Sequence, residues 1–366
     1  MNKYIIVLRR KEDISKLDNY ELFNIEIHFN IIIFAHMAEE TFYKIENKDI
    51  VKSIEKDRTD SHDSENISDV RYKSSKTTYT FDMMEISKFH DEGLTGKGFK
   101  IAILDTGIQK HVNLKVAGGI NVYDSNKPWD NSLTNTHGTM VAGVLNAQGV
   151  NGDILGIVPD AEIYAVRIDN GNGSINTTTW SSQIAGMSWA VENKMDAVNC
   201  SFSSRIDSEA RKTAFRMAYD SGIAIFCSAG NEQPESDNKT NTARYPAKYP
   251  FTISSANIDS NKKRYPTSCI GQGINFSNGG TSVRLTDAPS GLSTVSSDYS
   301  NGTGTSMSSP ATLGIYILYK QKYGESRDKI FERMAVNAEH LGDAFWYGAG
   351  LPKYPTHNYK NIQIRG

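Results

Sequence analysis

Lys100-Ile101-Ala102-Ile103-Leu104-Asp105-Thr106-Gly107 runs through four apolar residues to a carboxylate and a glycine. The run lacks polar alternation, as expected of a strand buried on both faces of a sheet. Comparable short apolar runs follow at 162–168, 196–201, 224–228 and 251–256. Helix-period segments separate several of them, among them Trp180–Glu192 and Glu209–Asp220. Strands covered on both faces and alternating with helices predict an α/β domain around a mainly parallel sheet. Ligand sites in such sheets lie beyond the carboxyl ends of the strands. Asp105 stands at one such end.

Upstream, residues 4–57 read as a separate small unit. Strand-like runs at 4–9 and 25–34, a helix at 39–49 with Phe42, Tyr43 and Ile45, and a last strand at 50–54 form a split βαβ pattern. That pattern predicts a small α+β, ferredoxin-like domain. The stretch from 57 to 76 then turns polar, with Asp60-Ser61-His62-Asp63-Ser64-Glu65-Asn66, and reads as an exposed linker without packed structure. The expected division is 1–57, a linker at 58–76, and a large domain at 77–366.

At 366 residues the chain accommodates such a pair of domains. Lys and Arg total 40 against 42 acidic residues, so no basic excess points to nucleic acid or an anionic membrane. The longest apolar stretch, near 31–34, is far short of a bilayer span. The apolar start, Tyr4 to Leu8, stops at Arg9-Arg10-Lys11 with no small-residue cleavage site after it, and reads as a strand rather than a signal peptide. A cytoplasmic location, or export by a route the sequence does not display, is the expectation. Cys200, Cys227 and Cys269 fit neither a disulfide framework nor a metal-ligand spacing and read as reduced, buried thiols. His62, Asp63 and Glu65 lack the spacing that would gather ligands on one face, so no metal site is assigned to them.

Three short motifs carry chemistry: Asp105-Thr106-Gly107, His137-Gly138-Thr139 and Gly304-Thr305-Ser306-Met307-Ser308-Ser309-Pro310. A serine hydroxyl is a weak nucleophile that needs a base within reach, and the base needs an acid to hold its tautomer. Asp105 ends a buried strand, His137 precedes a small-residue helix, and Ser306 begins a helix running to about Lys322. A helix start directs backbone N–H groups at a developing oxyanion. Each motif is common by chance. Together, in the order Asp, His, Ser, they point to a serine hydrolase; the α/β-hydrolase elbow is a different motif, with Ser first in the chain.

The blocks 103–108, 135–143 and 304–310 resemble the three signature blocks of the subtilase family, and the resemblance extends over roughly residues 77–351. It implies a three-layer subtilisin-like fold and a serine endopeptidase working through an acyl-enzyme, with Asp105, His137 and Ser306 as triad. Ser228-Ala229-Gly230-Asn231-Glu232 is similar to the block bearing the family's oxyanion asparagine, here Asn231. The N-terminal unit resembles the family's inhibitory, folding-assisting propeptides, which implies a zymogen that processes itself. Substrate would add as a strand between the segments 170–174 and 200–204, with Gly171, Asn172, Gly173, Ser201, Phe202, Ser203 and Gly230 as contacts. Ser203 and Ser204 replace glycines of the family and should narrow the cleft.

Arg244 occupies the resemblance's primary specificity pocket, where many members have a small residue. A guanidinium there favours a carboxylate on the acyl side of the scissile bond; an Arg turned to solvent or to a nearby acid is the competing reading. Exposed Glu65 is accordingly the expected processing site, with Arg71 or Lys76 as competing junctions. Restricted specificity suits removal of leader peptides from lantibiotic-type precursors, with general protein turnover as the other enzymatic reading. A catalytically silent binding scaffold predicts loss of a triad member or of Asn231, and all four are present. Met140 and Ala311 stand where the family commonly has histidines. Asn113 stands where it commonly has a calcium-binding Asp, so no cofactor is required and calcium in the 146–153 loop is optional. The partners expected are a peptide or protein substrate and the chain's own prodomain, on a monomer.

Overall fold

In the computed structural model, residues 1–62, 76–130, 135–169, 177–233, 239–288 and 295–356 are described, the side chains of 61 and 62 excepted. The N-terminal unit contains β1 (Asn2–Leu8), β2 (Phe23–His28), β3 (Ile32–Met37), α1 (Glu39–Glu46) and β4 (Val51–Lys56). Its sheet has the order β2-β3-β1-β4 and is antiparallel throughout. The element order is the strand, helix, strand, strand, helix, strand of the split βαβ pattern. The run at 25–34 divides into the two middle strands where Phe29 and Asn30 take positive φ values of 51° and 61° and turn the chain back. The first helical segment, Lys11–Asn19, is a 3-10 helix.

The fifth strand, β5 (Thr59–His62), lies inside the stretch read as linker. Its backbone is paired on both sides, antiparallel to β9 (Thr177–Thr179) and to β11 (Phe202–Ser203). Polar side chains hid this strand. Two-sided backbone pairing holds it in place of an apolar face.

The large domain begins with short helices α2 (Tyr79–Met83) and α3 (Ile86–Asp91). It continues with β6 (Lys100–Asp105), β7 (Val116–Asn121), α4 (His137–Asn146), β8 (Glu162–Arg167), α5 (Trp180–Glu192), β10 (Ala197–Cys200), α6 (Glu209–Asp220) and β12 (Ala224–Ser228). After these come β13 (Ile253–Ile258), β14 (Phe276–Gly279), the hairpin β15 (Val283–Asp287) and β16 (Asp298–Gly302), then α7 (Thr305–Tyr323), α8 (Arg327–Val336) and α9 (Ala344–Tyr347). Seven strands form one parallel sheet in the order β14-β13-β12-β10-β6-β8-β7.

Strand alternation sorts the core into two layers. Ile101 and Ile103 of β6 pack with Met140, Leu145, Met307 and Ile317 from α4 and α7. Ala102 and Leu104 face the other way, toward Met187 and Ala190 of α5 and Phe215 and Ala218 of α6. The α/β, mainly parallel, three-layer expectation thus describes the fold. Met140 and Ala311, the two departures from family histidines, are fully buried here. Cys200, Cys227 and Cys269 are free and buried.

The N-terminal sheet lies against α5 and α6. Ile5, Val7, Ile32 and Phe34 share a buried cluster with Trp180, Ile184, Ala210 and Ala214. Burying each large apolar side chain contributes about 1.5–3 kcal/mol. Carboxylates then cap the starts of both helices. Glu55 accepts from the Ser208 hydroxyl (2.8 Å) and the Ala210 N–H (2.7 Å), and Asp57 from the Ser181 N–H (3.0 Å) and hydroxyl (2.6 Å). These groups satisfy backbone donors that a helix leaves unpaired and favour its positive end. The same burial pushes both carboxyls above their ordinary range, against the pull of these hydrogen bonds.

Candidate active site

Asp105 ends β6, and the chain turns at Thr106-Gly107. Its Oδ1 accepts from the Thr106 N–H at 2.7 Å and bonds His137 Nδ1 at 2.7 Å. His137 opens α4, with its backbone N–H donating to Asn135 Oδ1 at 2.7 Å. The Thr106 hydroxyl accepts from the Gly138 N–H at 3.0 Å, tying the strand end to the helix start. Gly138 is required by space: a Cβ there would lie 2.2 Å from the Gly107 carbonyl oxygen. Asp105 is inaccessible to solvent and His137 is 4% exposed.

Ser306 comes from the far end of the chain, in the first turn of α7. Beside β6 lies β10, with Cys200 level with Leu104, so Ser201 is the next residue along, beside Asp105. The Ser201 hydroxyl donates to the Ser306 carbonyl at 2.9 Å. The backbone of Ser306 is therefore tied to the end of β10, the strand that runs ~4.8 Å from β6. Asn199 braces this link: its amide donates to Ser201 Oγ (2.9 Å) and its oxygen accepts from Ser309 Oγ (2.8 Å). The Ser306 hydroxyl is buried and has no hydrogen-bond partner among the described residues. A buried hydroxyl left unpaired costs about 1–3 kcal/mol, so such a group calls for a functional explanation.

Asn231 follows β12 and faces the same helix start. Its Oδ1 accepts from the Thr305 N–H (2.8 Å) and hydroxyl (2.9 Å). With the oxygen so fixed, the planar amide directs its NH₂ away from Thr305. Gly230, at φ 106°, makes the turn before Asn231, and a Cβ there would lie 2.6 Å from Arg244 Cγ.

These features decide the identity once compared with known proteins. The sequence profile described as "Subtilase family" matches residues 96–350. The chain belongs to the subtilase family. It is 36% identical over 275 residues to subtilisin DY of Bacillus licheniformis, covering 75% of this chain and 95% of that one. It is 33% identical over 304 residues to subtilisin E of Bacillus subtilis strain 168, with 82% of this chain and 76% of that one covered. A thermostable alkaline protease of Halalkalibacterium halodurans is 29% identical over 356 residues, 95% of this chain and 90% of the other, an alignment long enough to take in most of the N-terminal unit. This subtilase is a subtilisin-like serine endopeptidase.

The remaining candidates divide. Phe202 and Ser203 form β11 beside β5, whereas Gly171, Asn172 and Gly173 lie outside the described residues, as do Glu65 and Arg71. On that side the strand partner is Thr177–Thr179, a few residues beyond the expected segment. Ser204 exchanges backbone bonds with Tyr245 (2.8 and 2.9 Å) and is 9% exposed, so it supports the cleft wall. Arg244 Nη2 donates to Glu232 Oε2 at 2.8 Å, and Arg205 Nη2 reaches the same oxygen at 2.9 Å. Arg244 thus has an acid beside it, while its buried Nε has no partner among the described residues.

The calcium loop is already satisfied by protein. Asn113 Oδ1 accepts from the Gln148 and Val150 N–H groups (3.0 and 2.9 Å), and Asp153 is paired with Arg284 (2.9 Å). A hard cation needs oxygen lone pairs. Here they point at N–H donors, so this donor set does not fit calcium. Among the described residues no cluster of three or more His, Cys, Asp or Glu could hold a metal ion, and no helix is long and apolar enough to cross a membrane.

Proposed function

We propose that Ser306 is the nucleophile, His137 its general base, and Asp105 the residue that fixes the imidazole. The observation that carries this reading is the 2.7 Å Asp105–His137 bond, together with a Ser306 hydroxyl that is buried at the start of α7 and has no partner among the described residues. In the reaction, His137 Nε2 takes the Ser306 proton as Oγ attacks the substrate carbonyl. The Ser306 N–H and the Asn231 amide hold the oxyanion. His137 then protonates the leaving amine, and water repeats the sequence in reverse to release the acid and restore Ser306. A fluorophosphonate should label Ser306 in the wild type and fail with His137→Ala; equal labelling of both refutes the assignment.

Residues 1–57 act as an inhibitory prodomain, and the stretch after β5 is cut by the enzyme itself. Supporting this are the capped starts of α5 and α6 and a strand, β5, paired on both edges of the cleft. Cleavage falls after an acid of the linker, Asp63 or Glu65. Advancing β5 by one step from the Phe202–His62 pair favours the first, whereas Glu65 requires a two-residue slip that preserves the alternation of faces.

Substrate preference is for an acidic residue on the acyl side, read by Arg244, and the physiological role is removal of a leader peptide of the lantibiotic type. The unpaired Nε of Arg244 supports the acidic preference. General protein turnover is favoured by one observation, that Glu232 already shares the Arg244 charge. Arg244→Gly separates the two: lost discrimination between Glu and Leu peptides supports the first, and unchanged discrimination the second.

A further inference from the structure

We propose that Arg211, Trp180 and Gln183 form a pocket that selects an acidic side chain upstream in the substrate strand, with Asp60 as its built-in occupant. This deepens the protease reading above and rests on it for the direction of the substrate.

Asp60 sits in the middle of β5, opposite Thr178. Its Oδ2 accepts from Arg211 Nη1 (2.5 Å), Trp180 Nε1 (3.0 Å) and Gln183 Nε2 (3.1 Å). Arg211 is fully buried, lies 5.3 Å from the Trp180 ring centroid, and is fixed by three further acceptors. These are Gln183 Oε1 (3.2 Å), the Ile206 carbonyl (2.9 Å) and the Tyr249 hydroxyl (3.5 Å). All of these belong to the large domain, so the cationic pocket is built before any strand enters it. Among the described residues, Asp60 is the one carboxylate in contact with Arg211.

The pocket therefore has a standing charge that each bound strand must answer. A buried guanidinium without a counter-ion is strongly unfavourable, and an apolar residue at this position would leave it so. The register sets the spacing. Asp60 lies two residues before His62, which faces Phe202, and Ser201 beyond it holds the Ser306 carbonyl. A substrate in the same register carries its acid three residues before the residue facing Ser201, whose carbonyl is the one next to the nucleophile. The preference is thus for Asp or Glu at the fourth position upstream of the cut, independent of what Arg244 reads.

The test uses the mature enzyme and three quenched peptides differing only at that fourth position: Asp, Asn or Leu. Loss of one partner of a buried hydrogen-bonded charge pair corresponds to roughly 30-fold or more in kcat/KM. The wild type should favour Asp over Leu by that factor, and Arg211→Met should abolish or invert the preference while still cutting the Leu peptide. A wild-type Asp-to-Leu ratio near one overturns the proposal without reference to any variant. A second measurement does not depend on catalysis. In the full-length Ser306→Ala chain, Asp60→Asn should speed amide exchange at 177–179 and 202–203 about tenfold or more, by loosening β5. Unchanged exchange overturns the pocket, whereas an inert wild type with this exchange effect overturns only the protease assignment.

Discussion

Replacing Gly138 with Ala perturbs the active site through one methyl group. That Cβ would lie 2.2 Å from the Gly107 carbonyl oxygen and 3.2 Å from Asp105 Cβ and Oδ1. An ordinary carbon–oxygen contact is ~3.2 Å or more, so the helix start and the strand end must part by about 1 Å. The obstructing atom is backbone, and a flexible side chain cannot absorb the strain. The same Cβ crowds Asp105 Cβ and Oδ1, so parting the strand end from the helix start should stretch the 2.7 Å bond to His137. A 1 Å misplacement costs on the order of 10²-fold in rate, and overpacking costs ~1–3 kcal/mol of stability. Peptide hydrolysis should show kcat reduced by about that factor with KM little changed, while thermal melting confirms a folded chain. A folded Gly138→Ala enzyme within about threefold of wild-type kcat would refute the coupling of Asp105, Gly138 and His137.

Asn231→Leu should lower kcat by roughly 10²–10³, the range known from mutagenesis of a subtilisin, with KM nearly constant in steady-state assays. Chelation with EDTA should leave the melting temperature of the mature enzyme unchanged, since Asn113 and the Asp153–Arg284 pair occupy the loop's polar groups. The docked N-terminal unit should respond to pH through Glu55 and Asp57, both raised chiefly by burial from ordinary values of 4.5 and 3.8. Raised carboxyls bind protons more tightly when docked, so docking is firmest below those ordinary values. It weakens as pH rises through the raised ones and is flat beyond. Trp180 fluorescence of the Ser306→Ala chain, titrated from pH 3 to 7 on the reference carboxyl range, should show this loss, and Glu55→Gln with Asp57→Asn should remove it.

The central sheet was legible because its inner strands are covered on both faces and run through consecutive apolar residues, as at 101–104 in β6 and 224–227 in β12. Helices α5 and α6 were legible in full from their period. The edge strand β7 contains Gly118 and Gly119, and β14 is Phe-Ser-Asn-Gly; neither has the apolar run that marks a buried strand. The strand β5 and the Asp60–Arg211 pair escaped for a related reason. Polar residues were read as solvated, although Arg211 shares the stripe of Ala214, Phe215 and Ala218 on α6, which was the available signal. Asn199 and Ser309 are further residues that motif reading passed over. Their role exists only after β10 and α7 are brought together, and nothing local in Asn199 announces it.

Mass spectrometry of the purified full-length protein beside its Ser306→Ala form tests the central claim most directly. The account predicts that the wild type loses its N-terminal unit at a bond following Asp63 or Glu65, while the Ser306→Ala chain keeps all 366 residues. Two chains of identical length, or the same cut in both, would contradict it.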